Sequence, residues 1–416
     1  MGRIIVIGGG AAGFFAAIAC AEKNPDYEII ILEKSSNLLA KVKISGGGRC
    51  NVTHAGYDVK QLVKNYPRGE KQLIGPFMRF NPSHTVEWFE QRGVQLKTED
   101  DGRMFPVTDS SQTIIDCFLD EARRRSVKVR TNCGAKSITN CALPVAQFKK
   151  QEWKIITDSN EEIVADAVII ATGGSPQVWK MLEQLGHKII LPVPSLFTFN
   201  INDERLNNLQ GVSVEKAAVK LRSNHQPSTI ANQSGALLIT HWGISGPAVL
   251  KLSAFAAREL ASVKHQFEVE VNWLGVKKCS EAVSAIQNLK QTNPKKKVFS
   301  NPLFELPKRL WERLAESSIS NFQSSINFAD LSNKQIEELA NTLTASRFSV
   351  IGKSTFKEEF VTAGGVDLDE VDFKTMQSKK FQNLFFAGEV LDIDAITGGF
   401  NFQAAWTTGW IAGNSV

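Results

Sequence analysis

The residues best suited to bind a nucleotide lie at the start of the chain. An apolar run, Arg3 to Ile7, leads into three glycines with the spacing G-x-G-x-x-G: Gly8, Gly10 and Gly13. The first glycine permits a tight turn, the second lets a pyrophosphate approach the backbone, and the third lets the next helix pack close to the strand. The N-terminus of that helix offers N–H donors and positive dipole charge to phosphates. The spacing therefore predicts a phosphate-binding turn.

An acidic residue further on supports this interpretation. A second apolar strand, Glu28 to Leu32, ends in Glu33, which lies twenty residues after Gly13. In dinucleotide-binding folds an acid at about this distance binds a ribose hydroxyl. A glycine-rich turn in an unrelated α/β protein would need neither the second strand nor the acid. We therefore expect a dinucleotide-binding domain at the N-terminus.

A second glycine-rich stretch also has residues suited to ligand binding. Residues 43–51 place three glycines between Lys43 and Arg49, and a loop of this kind can wrap around a flat or anionic group. The alternative is a flexible surface loop. Cys50 has no partner cysteine nearby, so we interpret it as a packing residue and not as part of a disulfide relay.

One histidine is a candidate acid or base. His241 lies in residues 240–247, a turn that opens a helix at Pro247. Histidine titrates near neutral pH and can transfer a proton during catalysis. The alternative, that His241 only braces its turn, is about equally supported by the sequence.

Composition sets further limits. The chain has 416 residues, 43% hydrophobic and 22% charged, which is typical of a globular protein with two or three domains. A net charge of +5 suits anionic small molecules and does not require nucleic acid. The six cysteines show neither a C-x-x-C pair nor the spacing of a metal site, so we expect a reduced, cytoplasmic protein without a metal. Residues 4–21 are uncharged, but their glycines fit a nucleotide site better than a signal peptide or a membrane span.

The order of the predicted elements indicates an α/β fold with an insertion. An apolar strand, Ala167 to Ala171, carries Thr172 and Gly173 to the same sheet edge as Gly8. After residue 191 the pattern changes to short alternating strands, which indicate an antiparallel, barrel-like unit. We predict a nucleotide-binding domain in two parts (1–190 and 351–416), an inserted β unit (191–279) and a small helical unit (280–350).

The chain resembles the bacterial flavoproteins called BaiN-like or aminoacetone-oxidase-like. The resemblance covers nearly the whole sequence. It rests on six motifs: GGGAAG at 8–13, KISGGGRCNVT at 43–53, ATGG at 171–174, THWGISGPAVL at 240–250, TAGGV at 362–366 and GEVLDIDAITGGFNFQAAW at 388–406. It implies a Rossmann-like two-dinucleotide-binding-domain fold, split by the inserted units, with FAD across the split domain.

The resemblance also implies which residues bind the cofactor. The pyrophosphate would lie at Gly8, Gly10, Ala11, Ala12 and Gly13, and the AMP half near Glu33, Lys34 and Cys133. The remaining cofactor-binding positions would be Lys41, Ser45, Gly46, Gly47, Gly48, Arg49, Cys50, Asn51, Ala171, Thr172, Gly173, Gly388, Glu389, Gly398, Gly399, Phe400, Asn401 and Phe402. The last helix, opening near Asn401, could direct N–H groups at a flavin carbonyl.

These observations favour an FAD-dependent oxidoreductase that acts on a small organic substrate by hydride transfer to or from the flavin. NAD(P)H is the candidate electron donor, although no second G-x-G-x-x-G is present to hold it. The alternatives are an amine oxidase that uses oxygen, an RNA-modifying or RNA-binding flavoprotein, and an FAD-bound scaffold without turnover. Because the basic runs are short and scattered, we expect neither a nucleic-acid nor a membrane partner.

Overall fold

The structure, a computed structural model, describes residues 2–143, 150–222, 232–319, 324–354 and 361–416. The chain forms two compact units. Unit 1 contains Met1–Val193 and Lys357–Val416, and unit 2 contains Pro194–Phe356. Unit 2 is therefore inserted into the sequence of unit 1.

The first part of unit 1 contains eleven strands and seven helices in its described residues. The strands are β1 (Arg3–Ile7), β2 (Glu28–Leu32), β3 (Thr53–His54), β4 (Leu96–Thr98), β5 (Arg103–Pro106), β6 (Lys128–Arg130), β7 (Ala135–Leu143), β8 (Lys150–Thr157), β9 (Glu162–Ala165), β10 (Ala167–Ile170) and β11 (Ile189–Ser195), the last of which runs into unit 2. The helices are α1 (Ala11–Lys23), α2 (Ala40–Gly48), α3 (Val59–Leu62), α4 (Ile74–Arg79), α5 (Pro82–Glu90), α6 (Ser111–Arg124) and α7 (Pro176–Gln184).

Unit 2 contains six strands and five helices in its described residues, and the helices lie between β15 and β17 in sequence. Its strands are β12 (Thr198–Ile201), β13 (Ser213–Arg222), β14 (Gln233–Ile239), β15 (Gly243–Ser245), β16 (Phe267–Asn272) and β17 (Ser346–Ser354). Its helices are α8 (Pro247–Phe255), α9 (Ala257–Ser262), α10 (Cys279–Thr292), α11 (Lys308–Ser318) and α12 (Asn333–Ala345).

The chain returns to unit 1 with four strands and a long helix. These are β18 (Val361–Val366), β19 (Val371–Asp372), β20 (Gln377–Ser378), β21 (Leu384–Phe386) and α13 (Phe400–Gly413). Single 3₁₀ turns cover Val63–Asn65, Glu204–Leu206, Phe328–Asp330, Leu368–Glu370 and Gly388–Val390.

A seven-stranded sheet in the order β19-β20-β21-β10-β1-β2-β6 organises unit 1. β1 pairs in parallel with β2 on one side and β10 on the other, with Ile4 opposite Ile29 and Ala167. Strands of this kind are buried on both faces, which explains their continuous runs of β-branched residues. The strand predicted at residues 167–171 is confirmed as a central member of the parallel sheet, beside β1.

The first and last helices of unit 1 pack against each other at very short range. A Cβ atom added to Gly409 would lie 2.7 Å from the carbonyl oxygen of Ala12, and one added to Gly413 would lie 2.3 Å from that of Ala16. Gly409 and Gly413 therefore meet Ala12 and Ala16 in the same order along the chain, so the two helices run parallel. The GxxxG spacing of Gly409 and Gly413 therefore allows backbone-to-backbone packing of α1 and α13.

Unit 2 is built on a closed barrel in the order β12-β15-β14-β13-β16-β17. This confirms the antiparallel, barrel-like unit predicted from the alternating strands. The predicted division at residue 279 does not separate two cores, because barrel residues such as Phe199 and Val269 and helix residues such as Trp311 and Leu339 are fully buried in one cluster. The described helices of residues 280–350 thus share the core of the barrel.

The glycine-rich stretch near residue 45 differs from the predicted loop at its start. Residues from Ala40 onward form the helix α2, and the regular helix is interrupted where Ser45, Gly46 and Gly47 leave helical φ/ψ values. The physical reason is that glycine readily adopts positive φ, which ends the helical hydrogen-bond pattern.

Within the described residues, none of the helices combines the length and the apolar character that crossing a membrane requires.

The α1–α13 contact gives a stability prediction. We expect Gly409→Ala to lower the free energy of unfolding by about 1–3 kcal/mol, because the added methyl group must push the two backbones apart. Gly75→Ala is the matched control, since Gly75 is also helical and its added Cβ would meet no described atom within 4 Å. The control should leave stability unchanged or raise it slightly. Urea unfolding of both variants measures the difference, and equal stabilities would contradict the close packing.

Candidate functional site

The phosphate-binding turn has one open position. A Cβ atom on Gly8 would lie 2.5 Å from the carbonyl oxygen of Ala171, and one on Gly13 only 1.9 Å from that of Gly8. A Cβ on Gly10, in contrast, would meet none of the described atoms within 4 Å. Gly10 is also the N-cap of α1 and offers no side chain to its first N–H groups. The turn is thus closed by packing at two glycines and open to a ligand at the third.

Glu33, the residue predicted to bind a ribose, lies beside this turn. Glu33 Oε2 accepts the backbone N–H of Gly9 at 2.7 Å, and its Oε1 accepts the N–H of Ser35 at 2.8 Å. The N–H of Cys133 donates to the carbonyl of Glu33 at 2.8 Å, and Lys34 donates to Gln177 at the exposed edge. The structure therefore brings Glu33, Lys34 and Cys133 together at the ends of β2 and β6.

A second group of predicted residues surrounds Glu389. Lys41 Nζ lies 2.5 Å from Glu389 Oε2, and the backbone N–H of Thr362 donates to Glu389 Oε1 at 2.9 Å. A Cβ on Gly173 would lie 3.7 Å from the same carboxylate, which places Ala171–Gly173 here as well. Gly388 is buried and donates to Thr408 Oγ1 at 2.9 Å. Thr362 was absent from the predicted set, although it begins the TAGGV motif.

The glycine-rich stretch forms a left-handed turn with an open side. Gly46, Gly47 and Gly48 have φ values of +57°, +69° and +84°, and Cβ atoms on the last two would meet no described atom within 4 Å. Arg49 lies over the ring of Phe105 at 3.9 Å and pairs with Glu99 at 2.6 Å. These two contacts hold the Arg49 guanidinium beside the glycine-rich turn.

Cys50 and Asn51 connect this turn to the last helix. Burial raises the pKa of the Cys50 thiol to about 12, so the thiol stays protonated and serves as a packing group. The amide of Asn51, oriented to satisfy both of its neighbours, donates to the carbonyl of Thr53 and accepts the N–H of Gly399, each at 3.0 Å. Asn51 thus links the glycine-rich turn to the N-cap of α13.

The loop before α13 is held by a short strap, which we define as residues 65–69. The guanidinium of Arg68 forms a bidentate ion pair with Asp394, and both side chains are buried. The hydroxyl of Tyr66 donates to the carbonyl of Phe400 at 2.6 Å, and burial raises the pKa of this phenol well above its ordinary value. Asn401, one of the predicted contacts, exchanges two hydrogen bonds with the backbone of Ala395.

One residue beside this loop was missed from the sequence. His54 stacks on Phe400 with ring centroids 4.7 Å apart, and its Nε2 lies 3.2 Å from the carbonyl of Asp101. Burial lowers the pKa of this imidazole, so the neutral form is favoured. Nothing in the local sequence pattern marks His54, because only the fold brings β3 against the start of α13. Another predicted contact, Phe402, stacks on Trp406 within α13.

His241, the predicted acid or base, lies in unit 2. It is exposed in the turn between β14 and β15. That turn is tight, because a Cβ on Gly243 would lie 2.2 Å from the carbonyl of Phe199. The predicted cofactor-binding residues all lie in unit 1, and the role of His241 stays a prediction.

The arrangement in unit 1 suits an extended ligand with an anionic centre. The N-terminus of α1 lies at the open position of Gly10. Because Gly409 lies nine residues after the start of α13 and its partner Ala12 only one residue after the start of α1, α13 begins about eight residues before the level of α1, roughly 12 Å at 1.5 Å per residue. Two helix N-termini displaced in this way offer N–H donors to two separate parts of one ligand. The residues present therefore fit a dinucleotide whose phosphates lie at Gly10.

Gly10 gives a sharp test of the site. We expect Gly10→Val to lower affinity for FAD at least 100-fold, because the side chain would fill the space open to the pyrophosphate. The stability of the cofactor-free protein should change by less than about 1 kcal/mol, since the side chain meets no described neighbour. Titration calorimetry with FAD and urea unfolding of the apoprotein separate the two effects. Unchanged affinity would place the phosphates elsewhere.

Comparison with known proteins shows the family of the chain. The chain is 28% identical to the 3-dehydro-bile acid delta(4,6)-reductase of Clostridium scindens, over 100% of this chain and 99% of that protein. It is also 28% identical to the ribosomal RNA dihydrouridine synthase of Escherichia coli, over 98% of this chain and 96% of that protein. Among solved structures, a flavocytochrome c3 fumarate reductase in its open conformation matches with a TM-score of 0.48 at 15% identity, over 100% of this chain and 78% of that one. The family described as HI0933-like protein Rossmann domain matches residues 2–415, and the chain belongs to this family.

Proposed function

We propose that this protein is an FAD-dependent reductase that saturates a carbon–carbon double bond conjugated with a carbonyl group. The observation that carries the proposal is the open cradle at Gly10 beside Glu33, followed by a second, parallel helix N-terminus at Gly399. This arrangement suits the AMP half of FAD at one end and its ring at the other.

The two relatives support this reaction class. A 3-dehydro-delta(4,6) steroid acid has a ketone conjugated with its ring double bonds, and a dihydrouridine arises when the C5–C6 bond of uracil, conjugated with a carbonyl, is reduced. The substrates differ greatly in size, but the reacting group is the same. The shared chemistry is a hydride added to the carbon β to the carbonyl and a proton added to the α carbon.

The residues of unit 1 would bind and orient the cofactor. Bound FAD, once reduced by a hydride from NAD(P)H, would supply the hydride that the substrate receives. The N–H groups at the start of α1 would hold the pyrophosphate and Glu33 the ribose, and the Lys41–Glu389 ion pair would contact the part of the cofactor between them. The N-terminus of α13 would stabilise negative charge on the ring, because the N–H groups of its first turn and the helix dipole are positive.

Two substrate classes fit the proposal. One is a small enone, as the bile acid reductase suggests, and the other is a uridine in ribosomal RNA, as the dihydrouridine synthases of Escherichia coli and Haemophilus influenzae suggest. The expectation of no nucleic-acid partner, based on scattered basic runs, stays a prediction that the following experiment tests.

Purified protein should contain FAD and should be reduced anaerobically by NADPH or NADH, which stopped-flow absorbance at the flavin band measures. The reduced protein should then be reoxidised by a 4-en-3-one steroid or by unmodified ribosomal RNA, with product detected by mass spectrometry. Reoxidation by oxygen together with turnover of an amine would instead identify an amine oxidase. Absence of reduction by either nicotinamide would contradict the proposed donor.

His241 is the proposed proton donor to the α carbon. We expect His241→Ala to slow substrate reduction by roughly 10²–10⁴-fold, the range for a positioned acid, with FAD content and flavin reduction by NAD(P)H unchanged. His241→Gln is a second variant that keeps a polar side chain without a titratable group, and it should be equally slow. If both variants keep the full rate while their melting temperature falls, His241 only braces its turn.

A further inference from the structure

The positive charge of the chain is concentrated in unit 2. Residues 194–356 contain 19 Lys and Arg against 13 Asp and Glu, a net charge of +6, whereas the rest of the chain contains 29 against 30, a net charge of −1. The overall value of +5 conceals this separation. A domain with a separate positive charge attracts polyanions at long range.

The fold of unit 2 gathers part of this charge around a cavity. Trp311 Nε1 donates to the carbonyl of Val298 at 2.7 Å, which holds the segment after the exposed run Lys295–Lys297 against α11. Arg309, on α11, donates to the carbonyl of Asn208. We define the basic surface as Lys295–Lys297 together with the cavity residues Asn207, Asn208, Phe299, Arg309 and Arg313. The cavity measures about 240 Å³.

The composition of this surface suits a nucleic acid better than a small anion. The cavity also contains Glu312 and Glu316, and Arg313 lies 3.3 Å from Glu316. Two carboxylates disfavour a free phosphate inside the cavity, but they accept hydrogen bonds from the amino and imino groups of bases. The exposed run Lys295–Lys297 ends two residues before the cavity residue Phe299 and can contact backbone phosphates.

Phe299 adds an aromatic contact. It is half-buried, lines the cavity and follows Lys297 by only two residues. Aromatic side chains next to cationic ones are the usual platform for single-stranded RNA, since bases stack on the ring while phosphates contact Lys and Arg. Asn207 and Asn208 can hydrogen-bond the edge of a base held there.

We propose that the basic surface of unit 2 binds a single-stranded segment of ribosomal RNA, with phosphates on Lys295–Lys297 and a base in the cavity beside Phe299. The inference rests on the second substrate class of the proposed function. It assigns to unit 2 the task of holding the RNA, separately from the cofactor site in unit 1.

A matched pair of charge variants tests the inference. In the holoenzyme, Lys296→Gln/Lys297→Gln removes two charges from the surface, and Lys216→Gln/Lys220→Gln removes two from exposed positions of β13. Binding of unmodified ribosomal RNA transcripts is measured by fluorescence anisotropy across a salt series. The first pair should weaken binding 5- to 20-fold and lower the salt slope by roughly 1.4, because each single-strand phosphate contact contributes about 0.7. The control pair should change affinity less than twofold.

A third variant tests the stacking contact without changing charge. Phe299→Leu keeps the apolar volume but removes the ring, so RNA affinity should fall about tenfold with an unchanged salt slope. In all variants the rate of flavin reduction by NAD(P)H should equal that of the wild type, because the surface lies outside the cofactor site. Thermal melting monitors folding in each case.

The outcomes separate the two proposals. Equal weakening by both lysine pairs, an unaffected Phe299→Leu variant, or heparin binding as tight as RNA binding would overturn the RNA surface. RNA binding with the expected variant effects but without dihydrouridine formation would retain the surface and reject RNA as the reduced substrate. Failure of flavin reduction in the wild type would reject the proposed reductase while leaving the binding result intact.

Discussion

The contact between α1 and α13 is the constraint on which unit 1 depends. Gly409 and Gly413 let the two backbones approach to a distance that any side chain would prevent. This fixes the direction and the relative displacement of two helices that are almost 390 residues apart in sequence. Both helices begin at glycine turns, so their N-termini, with unpaired N–H groups and positive dipole, are set at a defined spacing. The candidate cofactor site is a consequence of that spacing.

The loop that leads into α13 is held from several sides. The strap at residues 65–69 contributes the buried pair of Arg68 with Asp394 and the hydrogen bond from Tyr66 to Phe400. Asn51 reaches Gly399 from the glycine-rich turn, and His54 stacks on Phe400. A buried ion pair is costly to break, because removing one partner leaves an uncompensated charge. We infer that the start of α13 is preorganised before any ligand binds, which lowers the entropy lost on binding.

The two units divide the physical properties of the chain between them. Unit 1 has a nearly neutral balance of charge, a parallel sheet and the glycine turns that suit a dinucleotide. Unit 2 has a closed barrel, which leaves no open sheet edge, and helices that share its core. Because the net positive charge lies in unit 2, a polyanionic partner would be attracted to this unit and a small neutral substrate would gain nothing from it. The two proposed substrate classes therefore differ in what they require of unit 2.

The sequence by itself determined the elements whose residues interact locally. The strand, glycine turn and helix at residues 3–23 follow from the apolar run before the glycines and from the G-x-G-x-x-G spacing, which is typical of a turn from a strand into a helix. The alternating strands of residues 196–273 predicted an antiparallel barrel because side chains of period two need one buried face. The acidic residue Glu33 was found in the same way, since its distance from the glycines is fixed by one helix and one strand.

Only the tertiary structure decided which distant segments meet. The contacts of Thr362 with Glu389 and of His54 with Phe400 join segments that share no local pattern, so propensity and spacing carry no information about them. The same holds for the basic surface, where Phe299 and Arg309 line one cavity with Asn207 and Asn208, about ninety residues away in sequence. A sequence records the charge of each residue, but the field that a ligand meets depends on which charges the fold places side by side.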